Sequence, residues 1–249
     1  AKQGATIVCA CRSVVKGNAI KDAIVKTTPG AKVEVMECDV ASLKSVRNFV
    51  VAFTAAYDSL HALINNAGIM NTKNGGPTVD GFELQFGTNH VGPFYLTELL
   101  LPLLNKSAPS RVVITSSNMS ANYPAMKGKK CLIHFDDDFL NPKTSTRKYD
   151  GWLAYMQSKF ANLLHMQELK RRMEGTGVSV VCYHPGFVES GLLRHTFPVN
   201  LCPRFFFKVL RLRDNMIGPK VGCQTTLFCA IDESIEGGGE ATACGFYSQ

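Results

Sequence analysis

The chain has 249 residues, 45% of them apolar and 19% charged. That balance suits one α/β domain with a large buried core and excludes global disorder, collagen-like repeats and a small disulfide scaffold. Its 27 basic and 20 acidic residues leave a formal charge of +7, but the basic residues are scattered, so no nucleic-acid partner is expected.

The first element is a buried strand over Ala5–Ala10, followed by a helix over residues 13–27 with Ser13 as N-cap and Pro29-Gly30 as its stop. A second strand spans Lys32–Cys38, Ser42 opens a helix to about Tyr57, and Leu60–Asn65 is a third strand. A glycine-rich loop, Asn71–Gly81, leads into a long helix over Phe82–Asn105, apolar on several faces and open to bending at Pro93 and Pro102. Arg111–Ser116 reads as the next strand, and a polar segment runs from Asn118 to Lys148. A helix over residues 152–174, a strand over Val178–Tyr183, a basic and aromatic stretch from Glu189 to Pro219, a helix near Val221–Ile231 and a short strand at Gly245–Tyr247 complete the chain.

Strands alternating with helices, each strand a continuous apolar run, predict a parallel sheet covered on both faces within one domain over residues 1–249. Ligands of such sheets bind beyond the carboxyl ends of the strands. Five of those ends carry small or polar groups: Ala10-Cys11-Arg12, Glu37-Cys38-Asp39-Val40, Asn65-Asn66-Ala67-Gly68, Thr115-Ser116-Ser117 and His184-Pro185-Gly186. No run approaches the roughly 18–20 apolar residues of a membrane span. The opening residues lack the layout of a signal peptide. Nine cysteines without a C-x-x-C pair read as reduced, mostly buried thiols of a cytosol-facing protein, and no metal site is expected.

Tyr155 and Lys159 lie four residues apart, so both project from one helical face. An ammonium beside a phenol favours the phenolate and lowers its pKa from about 10, which makes the two an acid/base pair for an alcohol or carbonyl. Ser117, at a strand end, supplies a hydrogen bond to a substrate oxygen.

This constellation resembles the short-chain dehydrogenase/reductase family. Asn65-Asn66-Ala67-Gly68 looks like its N-N-A-G motif, and Asn89, Ser117, Tyr155 and Lys159 look like its catalytic set. Pro185-Gly186 looks like its P-G turn. Asn89-His90-Val91-Gly92-Pro93-Phe94-Tyr95-Leu96, Ser158-Lys159-Phe160-Ala161-Asn162 and the insert Ile133-His134-Phe135-Asp136-Asp137 are most similar to the retinol dehydrogenase and WW-domain oxidoreductase branch.

The resemblance implies a Rossmann-like doubly wound fold and a hydride transfer between a nicotinamide cofactor and a lipophilic alcohol or carbonyl, retinoid- or steroid-like. Tyr155 would exchange the substrate proton. Lys159 would lower its pKa and hold the ribose. Asn89 would steady a water. Arg12 stands where an acid would select NAD, which favours NADP(H). Asp39 would contact the adenine beside Val40, and Asn66, Ala67 and Gly68 would border its ribose. Val188 and Ser190 would approach the nicotinamide after Pro185-Gly186. His184 and His90 read as structural, and Asp136-Asp137-Asp138 as a solvated loop. Phe205-Phe206-Phe207, with Arg204, Lys208, Arg211 and Arg213, reads as a lid over an apolar pocket, with peripheral membrane contact and a homodimer left open.

The family begins with a strand, T-G-x-x-x-G-x-G and a helix, about 30 residues without a counterpart here. The expectation is a partial chain whose sheet lacks its central strand and which, expressed as written, is neither stable nor active. Two further expectations follow. A membrane anchor on the cytosolic face of the endoplasmic reticulum would lie outside these residues. The alternative function is a catalytically silent interaction module.

Overall fold

The structure is a computed structural model that describes residues 1–120, 148–192, 216–235 and the strand Phe246–Tyr247. The strands are β1 (Ile7–Cys11), β2 (Val33–Glu37), β3 (Ala62–Asn65), β4 (Ser110–Thr115), β5 (Val178–Tyr183) and β6 (Phe246–Tyr247). The helices are α1 (Val14–Thr27), α2 (Leu43–Ala56), α3 (Leu84–Phe86), α4 (Gly92–Lys106), α5 (Gly151–Arg172), α6 (Pro219–Gly222) and α7 (Gln224–Ile231).

Every pairing is parallel, but the strands form two pieces. β1 pairs with β2, Ile7 opposite Val33, and a separate sheet runs β3-β4-β5-β6, with Ala62 opposite Arg111 and Ser110 opposite Val178. The expected break between the first strand and the third is therefore present among the described residues.

Alternation along β4 and β5 sorts the core into two layers. Val112, Ile114, Val178, Val180 and Cys182 face Phe49 and Phe53 of α2, Leu96, Leu100 and Leu104 of α4, and Met166 and Leu169 of α5. Val113, Val181 and Tyr183 face the opposite side, against Cys229, Ala230 and Ile235. Val8 and Met36 pack against the first layer, so apolar contact on one face ties the two-stranded piece to the rest.

Local chemistry sets the helix starts. The Ser13, Ser42 and Asp150 side chains accept hydrogen bonds from the backbone N–H groups of Lys16, of Ser45, and of Trp152 and Leu153 respectively. The single helix expected over Phe82–Asn105 is instead α3, a π-helical turn over Gly87–Val91, and α4. Pro93 has no N–H to offer the Asn89 carbonyl four residues earlier, and Asn162 Nδ2 donates to that carbonyl at 3.1 Å instead. Pro102 stays inside α4 without ending it. Of the described cysteines, Cys38, Cys182 and Cys229 are buried, whereas Cys223 is exposed and Cys9 and Cys11 are half-buried.

Candidate active site

The loops after β3 and β4, the π turn and the middle of α5 converge. Asn89, Ser117, Tyr155 and Lys159 are 1%, 6%, 4% and 4% exposed, so the structure brings all four together in a site shielded from water. Asn89 Oδ1 accepts from Ile69 N at 2.8 Å, and its Nδ2 donates to Ile69 O at 2.9 Å and to Ser158 Oγ at 3.0 Å. These bonds use both amide hydrogens, so Asn89 clamps the β3 loop to α5. The π turn itself is the kind of helix irregularity that frees backbone groups at functional sites.

Lys159 Nζ donates to Thr115 O at 2.9 Å and lies 5.8 Å from the Tyr155 ring centroid. Ser117 stands near enough to the Tyr155 phenol to favour its charged form, and its Oγ accepts from Met119 N at 3.2 Å. Burial pushes Tyr155 up to about 12, opposed by Ser117, and burial lowers Lys159 to about 8. The expected depression of the phenol by Lys159 is thus absent from this arrangement. Desolvation of a phenolate outweighs an ammonium that is itself desolvated and turned toward a carbonyl.

Around the phenol the wall is apolar and rich in thioethers. Met70 and Met156 are buried with Tyr155, and Met119, Trp152, Leu153, Leu192 and Met216 pack on them. A separate cavity of about 500 Å³, lined by residues including Met36, Glu37, Lys44 and Phe49, lies between β2 and α2 and includes none of the residues around Tyr155.

The residues expected at a cofactor fall into three groups. Asn66, Ala67 and Gly68 follow β3; a β-carbon on Gly68 would lie 3.2 Å from Asn89 Oδ1 and 3.7 Å from Lys159 Nζ. Only a residue without a side chain lets the loop backbone come this near Asn89 and the Lys159 ammonium, a donor of the kind that ribose hydroxyls require. Asn66 Oδ1 also accepts from Tyr183 Oη at 3.4 Å. Pro185 and Gly186 (φ +80°) form the turn after β5, after which Val188 bridges to Ile217 and Ser190 is exposed.

Arg12, Asp39 and Val40 lie on the two-stranded piece: Arg12 is exposed, and Asp39 Oδ1 accepts from Ala41 N at 3.0 Å. His90 is held by Asn162 at 3.0 Å, and His184 Nδ1 is buried with no hydrogen-bond partner. Among the described residues no group of three or more His, Cys, Asp or Glu could hold a metal. The Asp136-Asp137-Asp138 run, the insert over 133–137 and the Phe205-Phe206-Phe207 segment lie outside the described residues.

Sequence reasoning assigns no role to Ser116, Ser158 and Asn162, which brace the site. Ser116 Oγ donates to Lys159 O at 2.7 Å, Ser158 Oγ to Tyr155 O at 2.6 Å, and Asn162 Nδ2 to Thr115 O at 3.2 Å. Asn162 lies seven residues from Tyr155, two helical turns along the same face, and that spacing is the available signal.

The profile of the short chain dehydrogenase family matches residues 1–128. Retinol dehydrogenase 11 of Homo sapiens is 39% identical over 236 residues, covering 95% of this chain and 68% of that protein. Retinol dehydrogenase 13 of Homo sapiens is 42% identical over 242 residues, covering 94% and 67%. Among solved structures, the NADPH-bound short chain oxidoreductase of Pseudomonas aeruginosa PAO1 has a TM-score of 0.71 at 18% identity, over 98% of this chain and 85% of that one, a likeness of fold. With the profile spanning half of the sequence and such relatives along nearly all of it, the chain belongs to the short-chain dehydrogenase/reductase family, in its retinol dehydrogenase branch.

Proposed function

We propose that the chain is an NADP(H)-dependent oxidoreductase that interconverts a lipophilic alcohol and its aldehyde or ketone, with Tyr155 exchanging the substrate proton. The observation that carries this reading is the burial of Tyr155, Ser117, Lys159 and Asn89 side by side under a thioether-rich wall. Family membership supports alcohol/carbonyl oxidoreduction, and the names of the human relatives point to retinol as a substrate class.

In reduction, the carbonyl oxygen takes hydrogen bonds from Ser117 and Tyr155, and Tyr155 gives up its proton as negative charge develops on that oxygen. A phenol raised to about 12 holds that proton firmly at neutral pH, so it is the acid form that waits in the site. When bound, the nicotinamide supplies or accepts the hydride. Lys159 would hold its ribose, Pro185, Gly186, Val188 and Ser190 would border the nicotinamide, Asp39 and Val40 the adenine, and Asn66, Ala67 and Gly68 the adenine ribose. Arg12 would meet a 2′-phosphate.

Elongated apolar substrates suit the wall, because methionine side chains adapt their shape and contact conjugated groups well. Among the described residues no helix is long and apolar enough to cross a membrane.

The test is Tyr155→Phe in a full-length form, assayed with NADPH and retinal. Turnover should fall about 10²–10⁴-fold while NADPH binding, read by fluorescence, stays intact. Near-normal turnover would overturn the assignment. Binding without turnover in the unmodified full-length form, across retinal, a steroid ketone and a small polar ketone, would favour the silent module.

A further inference from the structure

Glu83 and Tyr149 lie outside the set around Tyr155, yet they join the two segments that carry it. Glu83 is 2% exposed. Its Oε1 accepts from Gln85 N at 3.0 Å and from Tyr149 Oη at 2.9 Å, and its Oε2 accepts from Phe86 N at 2.6 Å. The carboxylate therefore caps α3, which runs directly into the π turn that holds Asn89.

Tyr149 immediately precedes Asp150, the N-cap of α5. Its hydroxyl accepts from Gln85 Nε2 at 2.7 Å and shares a hydrogen bond with Thr72 Oγ1 at 2.9 Å. Gln85 Nε2 also donates to the carbonyl of Gly151, the first residue of α5, at 2.8 Å. The ring packs against the Gly75 backbone, where a β-carbon would come within 2.4 Å of it.

Burying a carboxylate is costly unless donors surround it. Burial raises this one, and the bonds from Gln85, Phe86 and Tyr149 oppose the rise. A surface serine would cap three residues equally well. The buried glutamate does more, since one side chain fixes α3 and the tyrosine leading into α5 together. Tyr155 is one turn beyond Gly151, about 6 Å along the axis, so a shift of the first turn is carried directly to the phenol.

We propose that Glu83, Tyr149 and Gln85 form a positioning lock that sets the first turn of α5 against the α3–π-turn segment and so fixes Tyr155 relative to Asn89 and Ser117. The lock rests on the reading of Tyr155 as the proton-exchanging residue. It acts through Tyr155 and touches neither substrate nor cofactor.

Tyr149→Phe keeps the ring on Gly75 and removes the hydroxyl. A misplacement of order 1 Å costs about 10²-fold in rate, so in a full-length form kcat with retinal should fall about 10- to 100-fold, with the KM for NADPH unchanged. The primary deuterium isotope effect on kcat, measured with deuterated NADPH, should rise. In the chain without ligand, hydrogen exchange of the amides of residues 153–157 should quicken about tenfold or more while β4 and β5 keep their protection.

Gln85→Met, which leaves the Glu83 cap in place, should give the same split and serves if Tyr149→Phe fails to fold. Either variant with normal kcat and normal exchange in the first turn of α5 overturns the lock. Tyr155→Phe, run alongside, separates the two readings. An active Tyr155→Phe overturns the proton-exchange role, whereas an inactive Tyr155→Phe beside a fully active Tyr149→Phe overturns the lock alone.

Discussion

The Val40 carbonyl lies so close to the Gly92 backbone that a β-carbon at position 92 would sit 1.9 Å from its oxygen. Gly92 has an ordinary helical φ of −62°, so space, and not backbone conformation, demands glycine here. The contact joins the end of β2 to the helix that follows Asn89. Because the opposing atoms are backbone, no rotamer change relieves them. Gly92→Ala should destabilise the fold by about 2–4 kcal/mol, read as a lower midpoint in urea unfolding. A midpoint within error of the parent would contradict the packing.

The pH dependence should differ between the two directions of reaction. In the proposed role of Tyr155, alcohol oxidation needs its phenolate, and burial raises the phenol to about 12. Its ionised fraction grows tenfold with each pH unit below that value, so oxidation should climb steadily from pH 7 to 10 while carbonyl reduction stays level over the lower part of that range. Ser117 opposes the rise, so Ser117→Ala should move the oxidation limb to still higher pH. Initial rates in both directions across this range decide the matter, and an oxidation rate flat from pH 7 upward would go against it.

Arg12 is exposed just after β1, and in the proposed cofactor site it meets the 2′-phosphate. A charged hydrogen bond contributes about 1.5–3 kcal/mol, so Arg12→Ala should weaken NADPH roughly tenfold to hundredfold and leave NADH nearly unchanged. Fluorescence titration with both nucleotides gives the comparison. Equal losses would remove Arg12 from the cofactor site.

His165 links stability to acid. Burial, with His90 nearby, lowers it to about 4, against an ordinary value near 6.5. Between those values the unfolded chain binds a proton that the folded chain refuses, so this residue's contribution is intact above pH 6.5 and is lost as pH falls toward 4. Each pH unit in that window is worth up to about 1.4 kcal/mol. His165→Gln should flatten the acid side of the stability profile, followed by thermal unfolding from pH 7 to 4. An unchanged slope would mean the imidazole accepts its proton without penalty.

Much of this arrangement is written locally in the sequence. The β-branched runs, the serine caps and the four-residue step from Tyr155 to Lys159 are short-range patterns, and each appears where those patterns place it. Glu83, Gln85 and Tyr149 are different. Their bonds span more than sixty positions for the Glu83–Tyr149 and Gln85–Tyr149 pairs, and no periodicity marks them. The electrostatics of Tyr155 are equally hidden, because spacing reveals that an ammonium is near but not that burial outweighs it. Pro93 is a partial case: it signals a disturbed helix, yet the rerouting of the Asn89 carbonyl to Asn162 depends on where α5 lies.

The division of the strands into two pieces also bears on colloidal behaviour. Among the described residues β1 bonds only to β2 and β3 only to β4, while Ile7 and Ile64 are 36% and 42% exposed. Neither Ile-Val-Cys-Ala-Cys nor Ala-Leu-Ile-Asn carries a charge or a proline, the features that ordinarily guard a strand edge against another chain. The formal charge of +7 repels a second copy of the chain, a repulsion whose reach shrinks to about 10 Å at 0.1 M salt. Low salt should therefore favour separate copies of this chain, and added salt should let two copies approach more closely.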